Sequence, residues 1–192
     1  YKDKAALLGV DSYDLINQDV AKVPIGSRRL LYLPYLMGER TPHLNPNCRG
    51  VFFGLSAIHT KADMLRAVME GVSYSLLDCF DILREMKVDV NEMMACGGGG
   101  KSRIWRQMLA DMYGCEVKTI KAEEGPALGV AILAGVGAGM FPDVQTACKE
   151  FIEQDTWCQP DAAAHAYYEK GHALYQKLYQ KLKDCYEDLA AL

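Results

Sequence analysis

With glycine and proline counted as breaks, no run of apolar residues in this sequence approaches the ~18 that a bilayer-spanning helix needs. The opening Tyr1-Lys2-Asp3-Lys4 also lacks the apolar core of a secretory signal. There is no basic surplus: 21 Lys and Arg stand against 25 Asp and Glu, for a formal net charge of −4, and the basic residues are scattered. That removes the electrostatic footprint of a nucleic-acid binder. The seven cysteines (Cys48, Cys79, Cys96, Cys115, Cys148, Cys158 and Cys185) are odd in number and show neither C-x-x-C pairs nor a His–Cys metal spacing. None has a histidine beside it in sequence, so they read as reduced, small apolar residues rather than nucleophiles or metal ligands. Together these absences lead us to expect a cytoplasmic protein with neither nucleic acid nor membrane as partner. No internal repeat is present at a fixed period.

Half of the 192 positions are apolar, enough for one sizeable core with a helical appendage. We therefore expect one domain over 1–192, with a C-terminal helix from 161 to 192 packed on it. Residues 4–20 carry helical spacing broken by Gly9. With no initiating methionine, they read as helix remnants inside a longer protein. Leu30 to Tyr35 reads as a buried strand interrupted by Pro34, and a loop dense in turn formers follows from Gly38 to Asn47.

From Thr60 the period becomes helical, with Met64, Ala67, Val68, Ser75, Leu76, Cys79, Phe80 and Leu83 marking a core face and Thr60 with Asp63 a capping box. Met93 to Cys96 reads as a buried strand that runs into four glycines. A helix then carries Ile104, Met108, Leu109 and Met112 and is closed by Gly114. Cys115 to Ile120 is a second strand, and Glu123-Glu124-Gly125-Pro126 a turn. Pro126 stands at the first position of a small-residue helix from Ala127 to about Val136, with Gly135, Gly137 and Gly139 at its end and exit turn. The tail helix places Tyr167, Leu174, Leu178 and Leu182 on one face, its tyrosines packing on the domain. Strand, turn and helix, repeated, argue an α/β fold.

Four consecutive glycines, Gly97 to Gly100, are entropically costly unless backbone must come close to a ligand or to another segment. Before a helix they would expose N–H groups and the positive end of the helix dipole to a nucleotide. A Walker A loop needs a glycine where Ala95 stands, and the Rossmann fingerprint would put Ser102 in its third glycine position, so both motifs fail. Ser102 is left with two roles, a hydrogen bond to ribose or base and a helix-start bond to backbone N–H.

The segment Gly50-Val51-Phe52-Phe53-Gly54-Leu55, a seven-residue spacer, and Asp63 to Glu70 together resemble a signature of the FGGY carbohydrate kinases. Cys96 to Ser102 resembles that family's adenosine-binding motif, continuing through Trp105 to Asp111, and Glu124 to Gly129 resembles the segment after it. Within the family, the Gly38–His43 loop and the Glu124–Gly129 run are most similar to the xylulose kinases. The resemblance implies an actin-like, ribonuclease-H-type ATPase domain, a mixed sheet flanked by helices. It would form the C-terminal half of a two-domain sugar kinase, facing its N-terminal domain across a cleft that holds ATP, Mg²⁺ and an open-chain sugar.

By the same resemblance, Gly97, Gly98, Gly99 and Ser102 bind ATP, and the reaction is the conversion of D-xylulose to D-xylulose 5-phosphate. No catalytic residue or metal ligand falls in the matched part. The phosphate loop and the aspartate that activates the sugar hydroxyl are expected upstream of residue 1, and a homodimer remains open. The alternatives are an actin-like nucleotide module without catalysis and a family kinase for another sugar or polyol (ribulose, gluconate, glycerol). A dehydrogenase domain is disfavoured by Ser102 and by Thr119-Ile120-Lys121, where an acidic residue would end the strand. Arg40 and His43 are candidates for cleft contacts or for the loop's own bonding, and Glu70 is read as a buried partner of an arginine.

Overall fold

The computed structural model describes residues 1–121 and 125–192; the expected turn residues Glu123 and Glu124 lie outside them. Two short helices, α1 (Lys2–Leu8) and α2 (Ser12–Val20), open the chain. Gly9 ends the first at φ 65°, and the Asp11 side chain caps the second by accepting from the Tyr13 N–H at 2.6 Å. Strand β1 (Leu31–Leu33) is shorter than expected, because Pro34 has no N–H to continue a ladder. It pairs antiparallel with β2 (Val51–Phe53), and the turn-rich loop lies between them.

The spine of the fold is α3 (Lys61–Glu85). At its start Asp63 Oδ2 accepts from the Thr60 N–H at 2.7 Å and the Thr60 hydroxyl at 2.6 Å, as the capping-box spacing requires. Its buried face differs from the apolar one expected. Asp63, Arg66, Glu70, Ser73 and Asp78 are buried beside Ala67, Met69, Tyr74, Leu77 and Phe80, while Leu76 and Leu83 are exposed. Those charges can face inward because they are paired. Arg66 Nε meets Glu70 Oε1 at 2.8 Å, and its NH1 and NH2 donate to the Val23 carbonyl at 2.9 Å and the Tyr168 hydroxyl at 3.1 Å. Glu70 also accepts from the Gly26 N–H at 2.9 Å, the Ser27 hydroxyl at 2.7 Å and the Tyr168 hydroxyl at 3.0 Å. Glu70 is thus the arginine partner that its position suggested.

After β3 (Glu92–Met94) come α4 (Gly97–Lys101), α5 (Arg103–Tyr113), β4 (Glu116–Ile120), α6 (Gly125–Gly137), α7 (Val144–Phe151), β5 (Gln154–Cys158) and α8 (Ala162–Ala190). The sheet order is β3-β4-β5, with β3 parallel and β5 antiparallel to β4, so the sheet is mixed. β3 is an edge strand with Glu92 and Met94 exposed, not the buried strand expected. Helix α6 begins at Gly125, one place before the position assigned to Pro126. Helix α7, capped by Asp143, and β5 were not read from the sequence.

Along α8 the buried stripe is Ala164, Tyr168, His172, Tyr175, Leu178, Tyr179 and Tyr186; Tyr167 and Leu174 are exposed, so the helix is rotated from the face expected. The rotation lets the tyrosine hydroxyls find partners in the core, Tyr168 on Glu70 and Tyr175 on Tyr35 at 2.8 Å. Among the described residues no helix is long and apolar enough to cross a membrane.

Removing one partner of a buried pair leaves the other charge stranded, so Glu70→Ala should cost about 3–5 kcal/mol. Urea unfolding followed by far-UV circular dichroism checks this. Burial pushes the Asp63 carboxyl up, but the Thr60 hydroxyl and N–H and the nearby Arg28 guanidinium outweigh it and hold the group below the usual carboxylate range. With the folded pKa depressed, its contribution is complete above the unfolded value of ~3.9 and is lost as pH falls through the folded pKa. Asp63→Asn should therefore flatten the acid limb of a stability–pH curve below about pH 4.

Candidate nucleotide site

The four glycines are not an open turn. They wind into the single helical turn α4, entered by Gly97 at φ 73° and left at Ser102, whose extended backbone starts α5. Each glycine answers a different constraint. A Cβ on Gly100 would sit 3.0 Å from the Ala95 carbonyl, and one on Gly99 would sit 3.3 Å from the Trp105 ring. Gly97 needs its left-handed φ. At Gly98 a Cβ would meet no atom of the described residues within 4 Å, so packing against them does not require glycine there. The helix-dipole reading is corrected: the helix after the glycines begins at Arg103, and Ser102 Oγ already takes its Trp105 N–H at 3.3 Å.

A cavity of about 690 Å³ lies against this turn, within the size range of small-molecule sites. Gly98, Gly99, Lys101, Ser102 and Trp105 form one wall; Ile16, Asn17, Asp11 and Asp14 of the α2 region form a second; Leu65, Val68 and Met69 of α3 form the floor. Of the residues picked from sequence, Gly98, Gly99 and Ser102 share this cavity, whereas Gly97 does not line it. Ser102 is nearly buried, and its hydroxyl both caps α5 and donates to Asn17 Oδ1 at 2.9 Å. Trp105 is locked by its indole N–H on the Ser73 hydroxyl at 2.9 Å. The Gly100 carbonyl is held by Arg106 NH1 at 2.5 Å.

Sequence reading missed Asn17, Ile16 and the α3 floor as cavity residues. Asn17 lies 85 residues from Ser102, and no local spacing links them. Arg40 and His43 do not line the cavity. Arg40 is exposed, and His43 stacks on Tyr179 with ring centroids 3.5 Å apart, where burial pushes its pKa down against the raising charges of Asp78 and Glu39. Burial pushes the Cys48, Cys79 and Cys115 thiols up, which suits apolar packing and not nucleophilic attack. Among the described residues no three His, Cys, Asp or Glu side chains come together as a metal-binding group. For Mg²⁺, which the family resemblance implies, the described residues thus offer no cluster of three such ligands.

The profile of the FGGY family of carbohydrate kinases, C-terminal domain, matches residues 3–138. The chain belongs to the FGGY family of carbohydrate kinases. It is 41% identical over 182 residues to a xylulose kinase of Staphylococcus epidermidis, covering 95% of this chain and 37% of that protein. It is 42% identical over 138 residues to a gluconokinase of Bacillus subtilis, covering 71% and 27%. Among solved structures it resembles ligand-bound xylulose kinase from Lactobacillus acidophilus with a TM-score of 0.84 at 32% identity, over 91% of this chain and 35% of that one. The chain thus spans a little over a third of the first of these relatives, and its fold is that of the actin-like C-terminal domain of FGGY kinases.

The contrast between two glycines is testable. A side chain at Gly98 should fill the cavity without disturbing the fold, so Gly98→Leu should abolish ADP binding while the thermal midpoint moves by no more than about 3 °C. Gly100→Ala, which crowds backbone at 3.0 Å, should instead lower the midpoint. Calorimetric titration and thermal unfolding of the two variants read the difference.

Proposed function

We propose that this segment is the nucleotide-gripping half of an ATP-dependent sugar kinase that converts D-xylulose to D-xylulose 5-phosphate. The observation that carries the nucleotide reading is Gly98: a glycine that packing among the described residues does not require, on the wall of a cavity of about 690 Å³, within the stretch resembling the family's adenosine motif. The mixture of surfaces supports it as well. Ile16, Leu65, Val68 and Met69 offer an apolar slot for a flat base, and Asn17, held by the Ser102 hydroxyl, offers a polar group to orient it.

In the proposed reaction the γ-phosphoryl group passes from ATP to a sugar hydroxyl, the P–O bond to ADP breaks, and the hydroxyl proton goes to a base. Such transfer depends on positioning and charge neutralisation more than on covalent chemistry. Among the described residues of the cavity, Asp11 and Asp14 are exposed to solvent and lack the burial that would tune a base. We place the base, most of the sugar contacts and the phosphate loop outside this segment, in the part of the longer protein facing it across the cleft. Xylulose is favoured by the loop Gly38–His43 and by the relatives named xylulose kinase; the gluconokinase at 42% identity makes gluconate the second reading.

This chain should bind ADP and not NAD, and should give no turnover with ATP and D-xylulose on its own. Calorimetry and a coupled ADP-release assay measure both. Failure to bind ADP would remove the nucleotide assignment, and sustained turnover by the chain alone would overturn the placement of the base. On the longer protein that carries this segment, kcat/KM for D-xylulose above that for gluconate decides the sugar.

A further inference from the structure

We infer that Asn17, and not Ser102, reads the nucleobase, with Ser102 as the positioning residue that aims it; this rests on the nucleotide reading of the cavity. The Ser102 hydroxyl receives the Trp105 N–H at 3.3 Å and spends its proton on Asn17 Oδ1 at 2.9 Å. It has no donor left for a ligand. These bonds also fix the Asn17 amide: with its oxygen on the Ser102 proton, its nitrogen faces the other way. That nitrogen carries two hydrogens and makes no hydrogen bond among the described residues, although Asn17 is half-buried and lines the cavity.

An amide donor held this way suits an acceptor on a flat ligand lying in the slot of Ile16, Leu65, Val68 and Met69. Purine ring nitrogens are such acceptors. The direction of the ligand follows from charge. Asp11 and Asp14, on the Asn17 side of the cavity, repel phosphate. The uncharged nucleoside end therefore sits against α2, within reach of Asn17, and the phosphates run away from it. Asn17 is a specificity residue for a purine nucleoside, supplied by an element remote in sequence from the glycine motif.

Adenosine, which has no phosphates to be repelled by an introduced charge, is the probe. Asn17→Asp keeps an oxygen for the Ser102 proton and the shape of the side chain but removes both amide hydrogens. Calorimetric titration of this chain should show adenosine affinity falling about tenfold or more in Asn17→Asp, and by less in Ser102→Ala, which loosens the amide without deleting it. In the unsubstituted chain the Asn17 side-chain NH₂ resonances should shift on adenosine addition, a readout that needs no variant to fold. Unchanged affinity in Asn17→Asp, a larger loss in Ser102→Ala, or unmoved NH₂ resonances at saturation would overturn the assignment while leaving the site intact. If neither ADP nor adenosine bound the unsubstituted chain, the nucleotide reading itself would fall.

Discussion

The ion pair of Arg66 and Glu70, closed off from water on α3, sets the positions of three elements that share no continuous stretch of sequence. Arg66 reaches the Val23 carbonyl just beyond α2, Glu70 takes the Gly26 N–H and Ser27 hydroxyl of the turn before β1, and both meet the Tyr168 hydroxyl of α8. Ionised groups this deep are tolerated only when their hydrogen-bonding capacity is met. Each partner is therefore pinned to within hydrogen-bond length of one point on α3. What the pair contributes is registry more than net stability, since its desolvation offsets most of its attraction.

The cavity inherits that registry. Its floor, Leu65, Val68 and Met69, lies on the α3 turn that carries the pair, and the chain leaving its α2 wall is held where the Arg66 guanidinium meets the Val23 carbonyl. Opposite, Trp105 is tied to α3 through Ser73, and Ser102 is tied to α2 through Asn17. All three walls are joined by hydrogen bonds between side chains at least 30 residues apart. A site closed by such ties is formed before a ligand arrives, which lowers the ordering cost of binding.

Much of this fold was legible in the sequence, and the exceptions have a common cause. The capping residues Thr60 and Asp63, the stop at Gly114 and the glycines after β3 act locally, and they stand where their spacing put them. Periodicity went astray on α3 and α8, where the buried faces carry Arg66, Glu70, Asp78 and a row of tyrosines whose polar atoms pair with one another. Hydropathy counts such residues as solvent-facing, and only the partner, far away in sequence, reverses the sign. The same holds in the cavity. Gly98 and Gly99 belong to a contiguous motif and could be picked out, but Asn17 acquires its meaning from Ser102, 85 residues later.

The glycine run shows why contiguity alone under-determines chemistry. Four identical residues serve four ends: a left-handed entry at Gly97, open space at Gly98, the Trp105 ring at Gly99 and the Ala95 carbonyl at Gly100. Among the described residues, nothing makes a structural demand for glycine at Gly98, whereas each of the other three answers one.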